Sequence, residues 1–179
     1  MRTIFTENLM SNCIAQACSG ALLAFALLFS NAQHANAEGV KPAVAAPVAA
    51  SGVIAAKSAY GVEETVDRLK KDIAAKGIMF FQEIDQTQLA AKAGIELRPS
   101  VLLIFGNPPL GTQFLTANPQ AGLDWPVRML VYRDAAGQVW VAYSDFEWIA
   151  RRHGVTTRDA QFHMASQVAA SIASSVASR

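Results

Sequence analysis

The run Ser100-Val101-Leu102-Leu103-Ile104-Phe105 constrains this chain most. It is preceded by Pro99 and stopped by Gly106-Asn107-Pro108-Pro109. An apolar run this short, closed at both ends by turn residues, predicts a strand buried on both faces. Such a strand belongs inside a sheet, and the turn that ends it leaves backbone groups free to meet another group. The rest of the chain has to supply the sheet around it and the layer that covers it.

The flanking pattern supplies both. Val62, Val66, Leu69 and Ile73 recur at helical spacing, with Glu63 and Glu64 in the first turn, Lys76 in the last and Gly77 as the stop. This predicts a helix over 62–76, preceded by a strand over 53–59 and followed by a strand over 78–85. Residues 86–93 read as a short Ala/Leu helix stopped by Gly94. Residues 106–124, with three Pro and three Gly, read as a long irregular segment with at most one helical turn near 112–116. Alternation over 126–134 and 138–143 around Ala135-Ala136-Gly137 predicts a β-hairpin. Asp145 is placed to cap a helix over 146–153. Thr156 and Asp159 have the spacing of a capping box that opens a final helix, with Phe162, Ala165, Val168, Ile172 and Val176 as its apolar stripe. The order is not a regular βαβ alternation and contains a late hairpin. It predicts an α+β fold: two layers, a mostly antiparallel sheet with helices over one face.

Composition adds the compartment. The chain has 179 residues, is 52% hydrophobic and carries a formal net charge of +1. Part of the apolar excess is local. Arg2, the apolar run 21–29 and Ala35-Asn36-Ala37 have the layout of a secretory signal peptide, too short to span a bilayer. The expected organisation is a signal peptide over 1–37, an Ala/Pro-rich linker over 38–52 and a single domain over 53–179. Cleavage after Ala37 removes Cys13 and Cys18, so the mature chain has no disulfide and no thiolate nucleophile. The expected location is the periplasm, or alternatively the medium. A mature charge near zero speaks against nucleic acid or an anionic membrane as main partner.

Four groups of residues are candidates for function. Phe105-Gly106-Asn107-Pro108 could form a ligand site at the strand end, or a plain turn in which Asn107 caps its own backbone. Asp124 could act as a base or cap a loop, and Trp125 suits a pocket wall or a dimer contact. Tyr132, Trp140 and Tyr143 on the hairpin could pair across strands or line an apolar pocket. His153, beside Gly154, reads as a helix-terminal cation, and His163 as a surface residue. Neither has partners at ligand spacing, so no metal site is expected, and no cofactor motif or catalytic signature is present.

The pieces Gly61-Val62-Glu63-Glu64, Ile84-Asp85, Leu103-Ile104-Phe105-Gly106-Asn107-Pro108, Leu123-Asp124-x-Pro126 and Val131-Tyr132-x-Asp134-x-x-Gly137 occur together, in this order. In this the chain resembles the domain of unknown function 302 family, over about residues 53–175. The resemblance implies a TATA-binding-protein-like fold of order β-α-β-β-β-β-α and a homodimer, and it implies no activity. Members often carry His at the position of Gln86 and Leu at that of Trp125. The leading expectation is thus an exported, non-enzymatic domain that binds a small, partly apolar ligand or a protein partner as a homodimer. The alternatives are an enzyme using Asp124, Asn107 and Asp85 with a tyrosine, which requires these groups to converge, and a structural or assembly protein.

Overall fold

The computed structural model describes residues 51–177. The expected signal peptide, and all of the expected linker except its last two residues, lie outside the described residues. The elements run β1 (Val53–Lys57), α1 (Val62–Ala75), β2 (Met79–Asp85), α2 (Gln86–Lys92), β3 (Ser100–Gly106), α3 (Pro108–Ala117), a 3-10 turn (Pro119–Leu123), β4 (Val127–Arg133), β5 (Val139–Ser144), α4 (Phe146–Arg152) and α5 (Asp159–Ser174).

The strands form one sheet in the order β1-β5-β4-β3-β2, with every neighbouring pair antiparallel. The expected α+β architecture holds. In antiparallel register, residues directly opposite share a face. Leu103 pairs with Met129, which pairs with Tyr143; Val101, Val131 and Val141 form the next row. These rows meet Val66, Leu69 and Ile73 of α1 and Phe162, Ala169 and Ile172 of α5 in one core. The helices form there because their apolar residues recur every three or four positions, as the pattern required.

The sheet corrects the first expectation. β3 is an interior strand, between β2 and β4, but it is not buried on both faces. Leu103 and Phe105 are fully buried, whereas Leu102 and Ile104, which point the other way, stay partly exposed. The reason is that the helical layer covers one face only. Ile84, Leu102, Ile104, Leu130, Tyr132 and Trp140 sit on the other face, and none belongs to the core cluster.

Two further expectations are corrected. Residues 106–124 are not an irregular loop; α3 and the 3-10 turn occupy most of them. Pro108 and Pro109 stand at the first helical positions, where a missing N–H costs nothing, and Asn107 caps them by accepting from Leu110 N at 3.2 Å. The same device repeats at Asn118-Pro119, where Asn118 accepts from Gln120 N at 2.9 Å. Likewise Thr156 opens no helix: α5 starts at Asp159, and its N-cap residue, Arg158, makes no side-chain cap bond. Asp145 behaves as expected, accepting from Glu147 N and Trp148 N at the start of α4.

Candidate functional site

The turn after β3 builds one end of the molecule. Phe105 points into the core, Gly106 is the last residue of β3 and Asn107 caps the start of α3. Trp125, at the end of the 3-10 turn, comes back over this junction. Its indole meets the edge of Phe81, on β2, in a T-shaped contact with ring centroids 6.2 Å apart. It also lies so close to α3 that a Cβ on Gly111 would fall within 2.5 Å of Trp125 Cδ1 and nearer still to Nε1 and Cε2. Gly111 is therefore the residue that seats the indole. A Cβ on Gly106 would be merely tight, 3.3 Å from Nε1.

Beneath Trp125 is a cavity of about 40 Å³, bounded by Phe105, Leu110, Phe114, Val127, Phe146 and Val168. It is almost wholly apolar, and Asn107, on its lining, has its Oδ1 engaged by the cap of α3. The structure thus brings together Phe105, Gly106, Asn107 and Trp125 around one cavity. Pro108 stands at the start of α3 beside them.

The other predicted residues go elsewhere. Asp124 turns away from the cavity toward α4. Its Oδ2 lies 2.6 Å from His153 Nε2, and Arg152 Nη1 lies 3.2 Å from the same carboxylate. Both members of the His153–Asp124 pair are nearly buried, and Asn118 Nδ2 donates to the His153 carbonyl at 2.8 Å. His153 therefore does more than end α4: it ties that end to the residue after the 3-10 turn, Asp124. A pair 29 residues apart leaves no periodic signal, so sequence spacing could not find it.

Tyr132 and Tyr143 lie on opposite faces. Tyr132 pairs with Trp140 on the helix-free face, and Trp140 Nε1 donates to Asp134 Oδ2 at 2.8 Å. That bond is the largest influence holding the Asp134 carboxyl below its usual range, and backbone donors from Gln138 and Ala136 add to it. Tyr143 faces the core; burial, then the charge of Asp145, raises its hydroxyl pKa. Asp85 caps α2 through Gln88 N at 2.8 Å. It sits beside Val101, whereas Asn107 follows Gly106 at the far end of β3, so the two do not converge.

Two grooves had no counterpart in the sequence reading. One, about 720 Å³, runs along the helix-free face past Leu97, Arg98, Leu130, Tyr132 and Arg133. The other, about 810 Å³, lies between α4 and α5, past Arg151, Thr156, Asp159, Phe162 and His163. The break at Gly154 between two amphipathic helices was the available signal for the second. Among the described residues no group of three or more His, Cys, Asp or Glu is placed to hold a metal ion.

A five-stranded antiparallel sheet with a one-sided helical layer and a strand-end turn sealed by an aromatic defines the class: a two-layer α+β domain. Its family follows from comparison. The family model for DUF302, a domain of unknown function, matches residues 54–178, and the chain belongs to that family. It is similar in fold to the uncharacterized conserved protein DUF302 from Bacillus stearothermophilus, with a TM-score of 0.65 and 17% identity, over 71% of this chain and 99% of that one. It is also 36% identical over 105 residues to proteins named fluoride-specific ion channel FluC 1 of Brucella suis and of Brucella abortus. The match covers 59% of this chain and 41% and 39% of theirs, so the chain spans about two fifths of the length of these curated relatives. Among the described residues no helix is long and apolar enough to cross a membrane.

Proposed function

We propose that this protein is an exported, non-enzymatic binding domain that works as a homodimer joined through the helix-free face of its sheet. One observation carries the reading: Ile84, Leu102, Ile104, Leu130, Tyr132 and Trp140 form an apolar surface that no core residue covers. The same face carries exposed Gln82 and Arg128 beside Ile104 and Lys57 beside Trp140, so the apolar residues form a patch within a mixed face rather than the whole of it. Five strands at ~4.8 Å spacing and ~20 Å length give a footprint of roughly 500 Å². Counted on two copies, that reaches the ~1,000 Å² expected of a biological interface. Leu97 and Pro99 extend the surface along the same groove.

The placement of the polar groups supports the non-enzymatic part. Asp85 and Asn107 are helix caps at opposite ends of the sheet, and Asp124 is held by His153 and Arg152. The signal-like composition of residues 1–37 supports export.

Sedimentation velocity over a range of concentrations tests the dimer. The chain should sediment as a dimer, and Leu130→Glu, at the centre of the face, should sediment as a monomer with unchanged far-UV circular dichroism. A wild-type monomer at high concentration, or a Leu130→Glu dimer, would remove the proposal.

A further inference from the structure

The geometry points to the Trp125 junction as a binding site for an unbranched alkyl chain, with the indole as its gate. The inference rests on the binding-domain reading above but not on the dimer. It starts from size. Whole-ligand pockets take ~300–1,000 Å³ and even benzene needs a cavity of ~150 Å³. About 40 Å³ admits only the end of something narrow. The walls are apolar side chains, so the space stays dry and favours carbon.

The surface outside the indole continues the same chemistry. Met79 and Phe81, on the edge strand β2, are 53% and 42% exposed; Leu123, two residues before Trp125 in the chain, is 64% exposed, and the Arg128 guanidinium donates to its carbonyl. Phe81 touches both the indole and the Gly106 position. An alkyl chain could lie along this rim and put its tip below the indole. The indole itself is only half-buried, and its N–H has no acceptor among the described residues, so no polar bond holds it closed. Against this, α3 carries glycine in its interior, a position where alanine would favour the helix. The helix is shaped to let a large ring rest against it.

Fluorine NMR of the chain labelled with 5-fluorotryptophan tests this. There are three tryptophans, each assigned by its own Trp→Phe variant. Decanol, decanoate and phosphatidylcholine vesicles are the probes. Decanol should shift the Trp125 resonance saturably and leave those of Trp140 and Trp148 in place. Val168→Leu adds one methylene to the cavity wall and should weaken decanol binding about fourfold, the worth of roughly one excluded methylene. Ala165→Val, at the same wall, should act in the same direction should Val168→Leu fold poorly. Response to decanoate as well assigns the site to free fatty chains; response to vesicles assigns it to chains drawn from a bilayer. The proposal is overturned by a Trp125 resonance that stays still up to the solubility limit, by three resonances moving together, or by cavity-filled variants that bind like wild type. The sedimentation coefficient, read on the same samples, separates this failure from failure of the dimer.

Discussion

Replacing Gly111 with alanine sets two opposing terms against each other. Alanine in a helix interior is worth ~1 kcal/mol over glycine, so α3 alone would gain. The new methyl, however, falls inside the indole of Trp125, which has to leave. A fully buried aromatic removes ~150–250 Å² from water, so a half-buried indole loses roughly 100 Å² of contact. At ~25 cal/mol per Å² that is about 2.5 kcal/mol. The net expectation is a destabilisation of about 1.5 kcal/mol. Urea unfolding followed by far-UV circular dichroism, at one fixed chain concentration, measures it. The sign should reverse in a Trp125→Ala background, where the same substitution should stabilise by ~1 kcal/mol because no ring is in the way. Gly122→Ala is the control, since its added Cβ would meet only Leu115, at 3.8 Å. If Gly111→Ala stabilises the chain while Trp125 is present, the seating of the indole on α3 is wrong, and the gate fails with it.

The remaining expectations concern the polar ties. Asp145→Ala removes the cap of α4 from a buried position and should cost about 1–2 kcal/mol in the same unfolding assay. His153→Ala leaves a nearly buried Asp124 carboxylate with only Arg152, and should cost about 1–3 kcal/mol; a change below experimental error would show that the pair holds nothing together. The Asp134 pKa is depressed in the folded chain, so its contribution is present above the ordinary Asp value and is lost as pH falls through the lower, folded one. The Trp140 indole N–H resonance should therefore move only in acid below pH ~3.9, together with the Asp134 carboxyl carbon. The Tyr143 pKa is raised, so the folded state loses stability as pH rises above ~10. Ultraviolet titration should show a late-ionising phenol whose signal is absent from Tyr143→Phe.

Most of the fold was legible because its signals are periodic. α1, the hairpin of β4 and β5, and the stripe of α5 each repeat an apolar residue at the spacing their structure needs, and each forms where that spacing predicts. What failed was not periodic. Pro108, Pro109 and Pro119 read as breakers, yet all three stand in the first turn of a helix, Pro108 and Pro119 at the favoured first position directly behind an Asn that caps. Asn-Pro is the start of a helix here rather than the body of a loop. The second failure, β3 buried on both faces, has a different cause. Consecutive apolar residues report that both faces avoid water, but not whether the second cover comes from the same chain.

That ambiguity is what links the sheet to the proposed dimer. Val101 to Phe105 carries the pattern of a doubly covered strand, and a single copy covers it once. β4 repeats the discrepancy, with Met129 and Val131 buried on one side and Leu130 and Tyr132 partly exposed on the other. β5 repeats it again with Trp140. A single strand of this kind is ordinary, since much of any protein surface is apolar. Three adjacent strands whose outward residues align in register, Leu102 with Leu130 and Tyr132 with Trp140, form an apolar patch, with Arg128 beside Ile104 at its edge. A second copy of the same sheet is the cover proposed above, and its match in size and in the apolar patch around Leu102, Leu130, Tyr132 and Trp140 is what the sedimentation experiment tests.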